Sequence, residues 1–248
     1  MKYKLEKIIS WLEDYKNTSN CKGVVVGISG GKDSTVVAML AKKVWGDSVV
    51  GVMMPDGEQR DIADSVAVCS ALGIRHAMVN IGSTVDSLVK TINASVGFTD
   101  ISQKAITNVP PRIRMTTLYA IAQSIGYRVI GTGNASEAFI GWTTKWGDSA
   151  YDLNPIYHLT CTEVVEIGKI LAEEFGLDTR YITKSPSDGL TGRTDEDNFG
   201  FTYEQLDRVI QGDHSVDVKT EEKIMALWNA SRHKTRKPYT MEEDHETR

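Results

Sequence analysis

A carboxylate beside a glycine turn is the feature of this 248-residue chain that points most directly to chemistry. Val24-Val25-Val26-Gly27-Ile28-Ser29-Gly30-Gly31-Lys32-Asp33-Ser34 reads as a short buried strand, a glycine turn and the start of a helix. Val36, Val37, Leu40, Ala41 and Val44 then recur at the spacing of one helix face. Such a turn aims unpaired N–H groups and the positive end of the helix dipole at whatever lies above the strand, so an anion is favoured there. Gly30 and Gly31 are expected to take positive φ and let the backbone close around phosphate oxygens. Asp33 would repel a phosphate unless a cation lay between them, which points to Mg²⁺. The pattern is not the P-loop: Lys32 is followed by Asp33 rather than a hydroxyl residue, and no glycine stands five places before Gly31.

The elements that must position this turn follow from periodicity. Leu5, Ile8, Ile9 and Leu12 mark an amphipathic N-terminal helix, and residues 49–54 a second strand stopped by Pro55-Asp56-Gly57. Ile62, Val66, Cys69 and Leu72 predict a helix ending at Gly73, with Ala77-Met78-Val79 as a third strand. Strands alternating with amphipathic helices predict an α/β fold: a doubly wound, mainly parallel, Rossmann-like sheet with helices on both faces. Ligands of such sheets bind at the carboxyl ends of the strands. Residues 82–108 read as a helix and a polar loop. Pro110-Pro111 is expected to halt the chain before Arg112-Ile113-Arg114-Met115, and Leu118, Ile121, Ala122 and Ile125 predict a helix ending at Gly126.

Residues 127–130 form a further strand that runs into Gly131-Thr132-Gly133-Asn134. Glu137, just inside the next helix, either shares a Mg²⁺ with Asp33 across the crevice or merely complements a helix N-terminus. In Gly141-Trp142-Thr143-Thr144-Lys145-Trp146-Gly147-Asp148 the two tryptophans are either part of a working loop or core anchors. Val164, Ile167, Leu171 and Phe175 predict another helix, and residues 184–197 a long polar loop of the functional kind. Thr202 with Gln205 matches a capping box opening a helix that ends at Gly212. A last helix carries Ile224, Leu227 and Trp228, and the basic run Ser231–Pro238 is expected to be a solvated tail.

The bulk numbers exclude several classes. A net charge of −5 lacks the footprint of a protein that grips a large nucleic acid. Cys21, Cys69 and Cys161 have neither metal-ligand nor redox spacing, so free thiols in a reducing cytoplasm are expected. The N-terminal stretch is not a signal peptide, and no apolar run is long enough to span a bilayer.

The Ser29–Ser34 turn resembles the Ser-Gly-Gly-x-Asp-Ser loop of the ATP pyrophosphatases, which cleave ATP to AMP and pyrophosphate; the plain alternative is a glycine-rich turn that holds nothing. Arg112-Ile113-Arg114-Met115, Gly131-Thr132-Gly133 through Glu137, Thr144-Lys145-Trp146-Gly147-Asp148, Pro186 through Asp197, and His233-Lys234 follow in order. Together they resemble the ammonia-dependent NAD⁺ synthetases over nearly the whole chain. The resemblance implies a ligase that adenylates the carboxylate of deamido-NAD⁺ with ATP, releases pyrophosphate, and lets ammonia displace AMP to give NAD⁺. It implies one domain over residues 1–248, with no room for the amidase domain of the glutamine-using members, and a cytoplasmic homodimer. By position, Gly27, Ile28, Ser29, Gly30, Gly31, Lys32, Asp33, Ser34, Thr132 and Ser187 would bind ATP. Asp33 and Glu137 would bind Mg²⁺, and Arg112, Lys145, Asp152, His233 and Lys234 would bind deamido-NAD⁺. Asp148, with Asp33 and Lys32, would be catalytic.

The residue types suit that chemistry. Attack on the α-phosphate develops charge on the leaving pyrophosphate, which fixed N–H groups, Mg²⁺ and basic side chains stabilise. Ammonium has no lone pair, so an acceptor such as Asp148 must bind it and help remove a proton. An ordinary aspartate is too acidic to be a strong base, so Asp148 needs a raised pKa or acts by position. The chain departs from many members in having Cys161 where they place a phosphate-binding lysine, and Ser187 where they have threonine. Cysteine cannot replace an ammonium, so Lys32 or Lys184 is the expected source of that charge. Two other readings remain: a tRNA-modifying ATP pyrophosphatase, disfavoured by the acidic charge and dispersed cysteines, and a nucleotide-binding module without catalysis, disfavoured by retention of both Asp33 and Glu137.

Overall fold

The computed structural model describes residues 1–58, 62–97, 99–184, 194–213 and 215–238. The elements run α1 (Lys2–Thr18), β1 (Val24–Gly27), α2 (Lys32–Trp45), β2 (Val49–Met53), α3 (Ile62–Ala71), β3 (Arg75–Met78), α4 (Gly82–Ser95), α5 (Gln103–Thr107), α6 (Val109–Ile125) and β4 (Arg128–Ile130). They continue with α7 (Ala135–Ile140), α8 (Cys161–Phe175), α9 (Arg180–Thr183), α10 (Asp195–Phe199), α11 (Tyr203–Ile210) and α12 (Val218–Thr235).

The four strands form one parallel sheet in the order β3-β2-β1-β4, with Val24 in register with both Val49 and Arg128. Beyond β4 the chain adds one parallel bridge, Ile130 to Leu153. β1 is buried between neighbours and between two helical layers, which explains its unbroken valine run. Val24, Val26 and Ile28 pack on one face with α1, α2 and α8, while Val25 joins Val52 and Val129 on the other, against α4 and α6. This is the period of two that a strand imposes. A third cluster ties α7, α8, α10, α11 and α12 together through Ile140, Leu206, Ile224, Phe199 and Phe201.

The expected α/β sheet is thus present, with four differences. The third strand lies at Arg75–Met78 and every residue of it is exposed, as befits an edge strand. Pro110 and Pro111 do not halt the chain: they sit in the first turn of α6, where the lost N–H is no cost. Residues 82–108 contain two helices, α4 and α5. The basic run at 231–238 is no solvated tail at its start, because α12 continues through Thr235 and buries Ser231 against the backbone of Phe139 and Gly141.

Sheet order creates the crevice. From β1 the chain crosses to β2 and β3 on one side, then returns to place β4 on the other, so the loops after β1 and β4 splay apart at the carboxyl edge. The first carries Ser29 to Asp33 and the second Thr132 to Asn134.

Candidate active site

The β1 turn is built by its two serines. Ser34 Oγ accepts from the Ser29 N–H at 3.2 Å and donates to the Gly31 carbonyl at 3.1 Å, and Ser29 Oγ accepts from the Gly31 N–H at 3.2 Å. Among the described residues, the N–H groups of Gly30, Lys32, Asp33 and Ser34 keep no protein partner, which leaves a nest for an anion at the start of α2. Only Gly30 has the positive φ expected of both glycines, at 81°. Gly31 is the N-cap of α2 with φ −89° and ψ 168°, because the residue that opens a helix is extended.

Across the crevice, Asn134 is fully buried and caps α7. Its Oδ1 accepts from the Glu137 N–H at 3.0 Å, and its own N–H donates to Glu137 Oε2 at 3.2 Å. Its Nδ2 reaches the other loop and donates to Asp33 Oδ1 at 2.9 Å. Asp33 Oδ2 accepts from Lys32 Nζ at 2.8 Å. Asn134 therefore links both acidic residues: Glu137 completes the capping box of α7, the helix N-terminus reading, and also lies near enough to Asp33 for their charges to interact. Burial, and then the charge of Asp33, push the Glu137 carboxyl well above the usual carboxylate range. Burial alone would lower the Lys32 pKa, but acidic neighbours, Asp33 foremost, outweigh it and the net shift is upward. The Cys161 thiol is itself pushed up to about 12, chiefly by burial, so at neutral pH it adds no charge.

Two cavities meet at this point. One of about 540 Å³ runs from Gly27–Asp33 past the apolar side chains of Val52, Met54 and Leu118 to Thr132 and Lys184. The other, about 320 Å³, lies among Trp142, Thr143, Tyr151, Tyr157 and Lys234. Ser29, Asp33, Thr132, Glu137, Asp148 and the buried Asp195 border both. Asp148 is exposed to the cleft by surface area, yet it sits deep enough between the walls that burial leads an upward shift of its pKa. Hydrogen bonds partly oppose the shift: Asp148 Oδ1 accepts from the Thr144 N–H at 2.7 Å and Oδ2 from Thr143 Oγ1 at 3.1 Å. Lys234 comes down from α12, donating to the Gly141 and Thr143 carbonyls at 2.8 and 2.9 Å.

The remaining expected residues sort by place. Arg112 and Lys145 are joined, with Arg112 Nε and Nη2 each 3.3 Å from the Lys145 carbonyl, and Lys145 Nζ donates to the His233 carbonyl at 2.8 Å. They form an outer rim that borders neither cavity. Asp152 also stands apart, accepting from the Val129 N–H at 2.8 Å at the flank of β4. Ser187 lies outside the described residues. Of the two candidate lysines, Lys32 is buried at the carboxylates, near enough to Cys161 for each to bias the other's ionisation. Lys184 is at the mouth of the larger cavity, 3.0 Å from Asp64. Trp146 is 55% and Trp142 38% exposed, so neither is a core anchor, although Trp142 packs edge-on to Phe199 with centroids 4.8 Å apart.

Three working residues escaped sequence reasoning. Asn134 could have been found from its spacing to Glu137, the signature of a capping box after a glycine turn. Arg114 lines the larger cavity and donates to the Met54 carbonyl at 3.0 Å. Buried Asp207 accepts from Ser136 Oγ and from the Thr162 N–H and hydroxyl, at 2.8 and 2.7 Å for Thr162, and so locks α11 to the starts of α7 and α8. No local signal marks it.

Fold and site define a class: an α/β protein of the nucleotide-binding kind, with a nest of free N–H groups and two carboxylates at the switch point of a parallel sheet. Comparison with known proteins narrows this. The NAD synthase family model matches residues 4–241. An NH(3)-dependent NAD(+) synthetase of Carboxydothermus hydrogenoformans is 39% identical over 95% of each chain. Among solved structures, an NMN synthetase of Francisella tularensis superposes with a TM-score of 0.88 at 34% identity, covering 96% of this chain and 97% of that one. An NH3-dependent NAD synthetase of Campylobacter jejuni gives 0.78 at 26% identity, covering 97% and 98%. The chain belongs to the NAD synthase family, and its chemistry is that of a ligase. No helix among the described residues is long and apolar enough to cross a membrane.

Proposed function

We propose that the protein amidates deamido-NAD⁺ to NAD⁺ with ATP and free ammonia, through an adenylated carboxylate, releasing pyrophosphate and AMP. The observation that supports this most is the meeting of the two cavities at Asp33, Glu137 and Asp148. ATP is assigned to the larger cavity, its phosphates on the free N–H groups of the β1 turn and its base against Val52, Met54 and Leu118. The carboxylate to be activated enters from the smaller cavity. Two adjacent carboxylates, one of which is pushed up by burial and then by the other's charge, are a hard-oxygen donor set suited to Mg²⁺ that is completed by substrate phosphates. When bound, that ion supplies charge stabilisation for the departing pyrophosphate. Asp33 and Glu137 would hold it, Asn134 sets their spacing, and Lys32 adds positive charge where other members place a lysine. Asp148, with its raised pKa, accepts a hydrogen bond from ammonium and helps withdraw a proton as nitrogen attacks. The tyrosine- and tryptophan-lined cavity shields the adenylate from water.

A second acceptor is favoured by one observation, the 0.88 superposition on an NMN synthetase. The same adenylation and amidation carried out on nicotinate mononucleotide would yield NMN. The outer rim of Arg112, Lys145 and His233 supports the dinucleotide, since it lies beyond the cavities and offers contacts to a longer substrate.

We infer further that the chain acts as one ammonia-using domain, as a homodimer, in the cytoplasm. The buried free state of Cys21, Cys69 and Cys161 suits a reducing compartment. The dimer is supported by Met78, Leu88 and Ile125, which stand 55%, 39% and 45% exposed on β3, α4 and α6. Light scattering that gives a monomer at working concentration would remove it.

The deciding assay offers deamido-NAD⁺ and nicotinate mononucleotide in parallel, with ATP, Mg²⁺ and ammonium chloride, and follows pyrophosphate together with product mass. Conversion of the dinucleotide that needs both ATP and ammonium is the expected result. A kcat/KM higher for the mononucleotide overturns the first acceptor in favour of the second. Pyrophosphate release with neither amide formed overturns both.

A further inference from the structure

Lys32 is the one lysine among the described residues that is buried, with 4% exposure. Three effects oppose an ammonium in that place. It leaves water. It stands in the first turn of α2, where the helix dipole presents its positive end. Its long side chain is held in one conformation. What offsets them is specific: Asp33 Oδ2 at 2.8 Å and the face of Tyr203, whose ring centroid is 5.3 Å from Nζ. Asn134 holds the other Asp33 oxygen at 2.9 Å, so this carboxylate is pinned at both ends before any ligand arrives.

A cation fixed among the acidic groups changes what the site attracts. Two carboxylates facing one crevice would draw a free divalent ion by themselves. An ammonium in direct contact with one of them offsets that field, and the nucleotide's phosphates must then supply the remaining negative charge. We propose that Lys32 is a built-in counter-cation, which holds Asp33 ready and makes the site take up its divalent ion together with the nucleotide rather than before it. This deepens the reading that Asp33 and Glu137 bind Mg²⁺ with ATP, and rests on it.

The test uses Mn²⁺ as the probe, read by the electron paramagnetic resonance of the free ion. The full chain is titrated alone and with the α,β-methylene analogue of ATP, which cannot be split between those phosphates. Mn²⁺ held by the analogue alone is subtracted. The wild type is expected to bind Mn²⁺ at least roughly tenfold more tightly with the analogue than without it, and Lys32→Arg to behave likewise. Lys32→Met removes the charge at similar volume and is expected to raise the nucleotide-free affinity by on the order of tenfold or more, shrinking the analogue's effect. If Lys32→Met matches the wild type without nucleotide while both bind Mn²⁺ with it, the counter-cation role is wrong and the metal reading stands. If the wild type binds no Mn²⁺ even with the analogue, the metal reading fails and takes this inference with it. Should Lys32→Met lose its helical circular dichroism, the wild-type comparison decides alone: equal affinity with and without analogue overturns the proposal.

Discussion

Asn134 offers the sharpest test of how the two halves of the site are joined, because its side chain caps one helix and holds a carboxylate on another. In Asn134→Ala the cap on α7 is lost, which costs about 1 kcal/mol. The bond from Nδ2 to Asp33 Oδ1, 2.9 Å long and charge-assisted, is lost as well, at about 1.5–3 kcal/mol. The expected loss of stability is therefore about 2.5–4 kcal/mol, or roughly 5–15 °C in Tm for a chain of this size. Asn134→Ser separates the two parts, since serine caps as well as asparagine but is too short to reach Asp33. It should recover about 1 kcal/mol of stability. Pyrophosphate release should not recover with it: an Asp33 carboxylate free to drift by about 1 Å is expected to cost on the order of 100-fold in turnover in both variants. The assay pairs a thermal melt with pyrophosphate release at saturating ATP. A serine variant that regains wild-type turnover along with its stability would refute the reasoning, because it would show that the amide contact across the crevice is dispensable.

The other predictions concern neighbouring groups. Asp33→Asn keeps the shape but removes the charge and turns one acceptor oxygen into an NH₂ donor that faces Lys32 or Asn134; pyrophosphate release should fall at least about 1,000-fold and Tm should drop as the buried Lys32 loses its partner, and near-normal turnover would take Asp33 out of the metal site. Asp148→Asn should spare adenylate formation and slow ammonia attack, as read by single-turnover quench; equal loss of both half-reactions would contradict that division. The raised pKa of Asp148 fixes the sign of its pH effects. As pH falls through that pKa the acceptor is protonated, so at matched free ammonia the wild type should lose amidation on the acid side while Asp148→Asn shows no such limb. A raised carboxylate contributes stability that is fully present below its unfolded pKa and is lost as pH rises through the folded value. Asp148→Asn should thus melt at or above the wild-type temperature at neutral pH, and a clearly lower Tm would count against the desolvated carboxylate. Asp207→Ala leaves Ser136 Oγ and two Thr162 donors without their acceptor, so a loss of about 3 kcal/mol or more is expected, and a Tm within about 2 °C of wild type would show the lock to be unimportant.

Residues 24–34 declared the strand, the turn and the start of α2 by themselves, because burial of a strand on both faces and the needs of a tight turn are local constraints on residue type. The capping box at Thr202 and Gln205 was legible for the same reason, and α11 begins there. Helical spacing likewise marked α2, α8 and α11, whose apolar stripes are continuous in sequence. What sequence could not decide was which strand lies beside which. Asp33 and Asn134 are separated by 101 positions, and only the sheet order β3-β2-β1-β4 brings their side chains within 2.9 Å. That same order turned the ambiguous Glu137 into a neighbour of Asp33, and carried Lys234, from a run read as a solvated tail, down onto the carbonyls of Gly141 and Thr143. Lys32 shows the limit best. Its type and position were visible at once, but whether an ammonium in a glycine turn faces water, a phosphate or a buried carboxylate depends on the elements that close over it. Here Tyr203 from α11 and Cys161 from α8 shut it in, so its charge turns toward Asp33. Local chemistry set the residue types; long-range packing, through burial and proximity, set what those charges do.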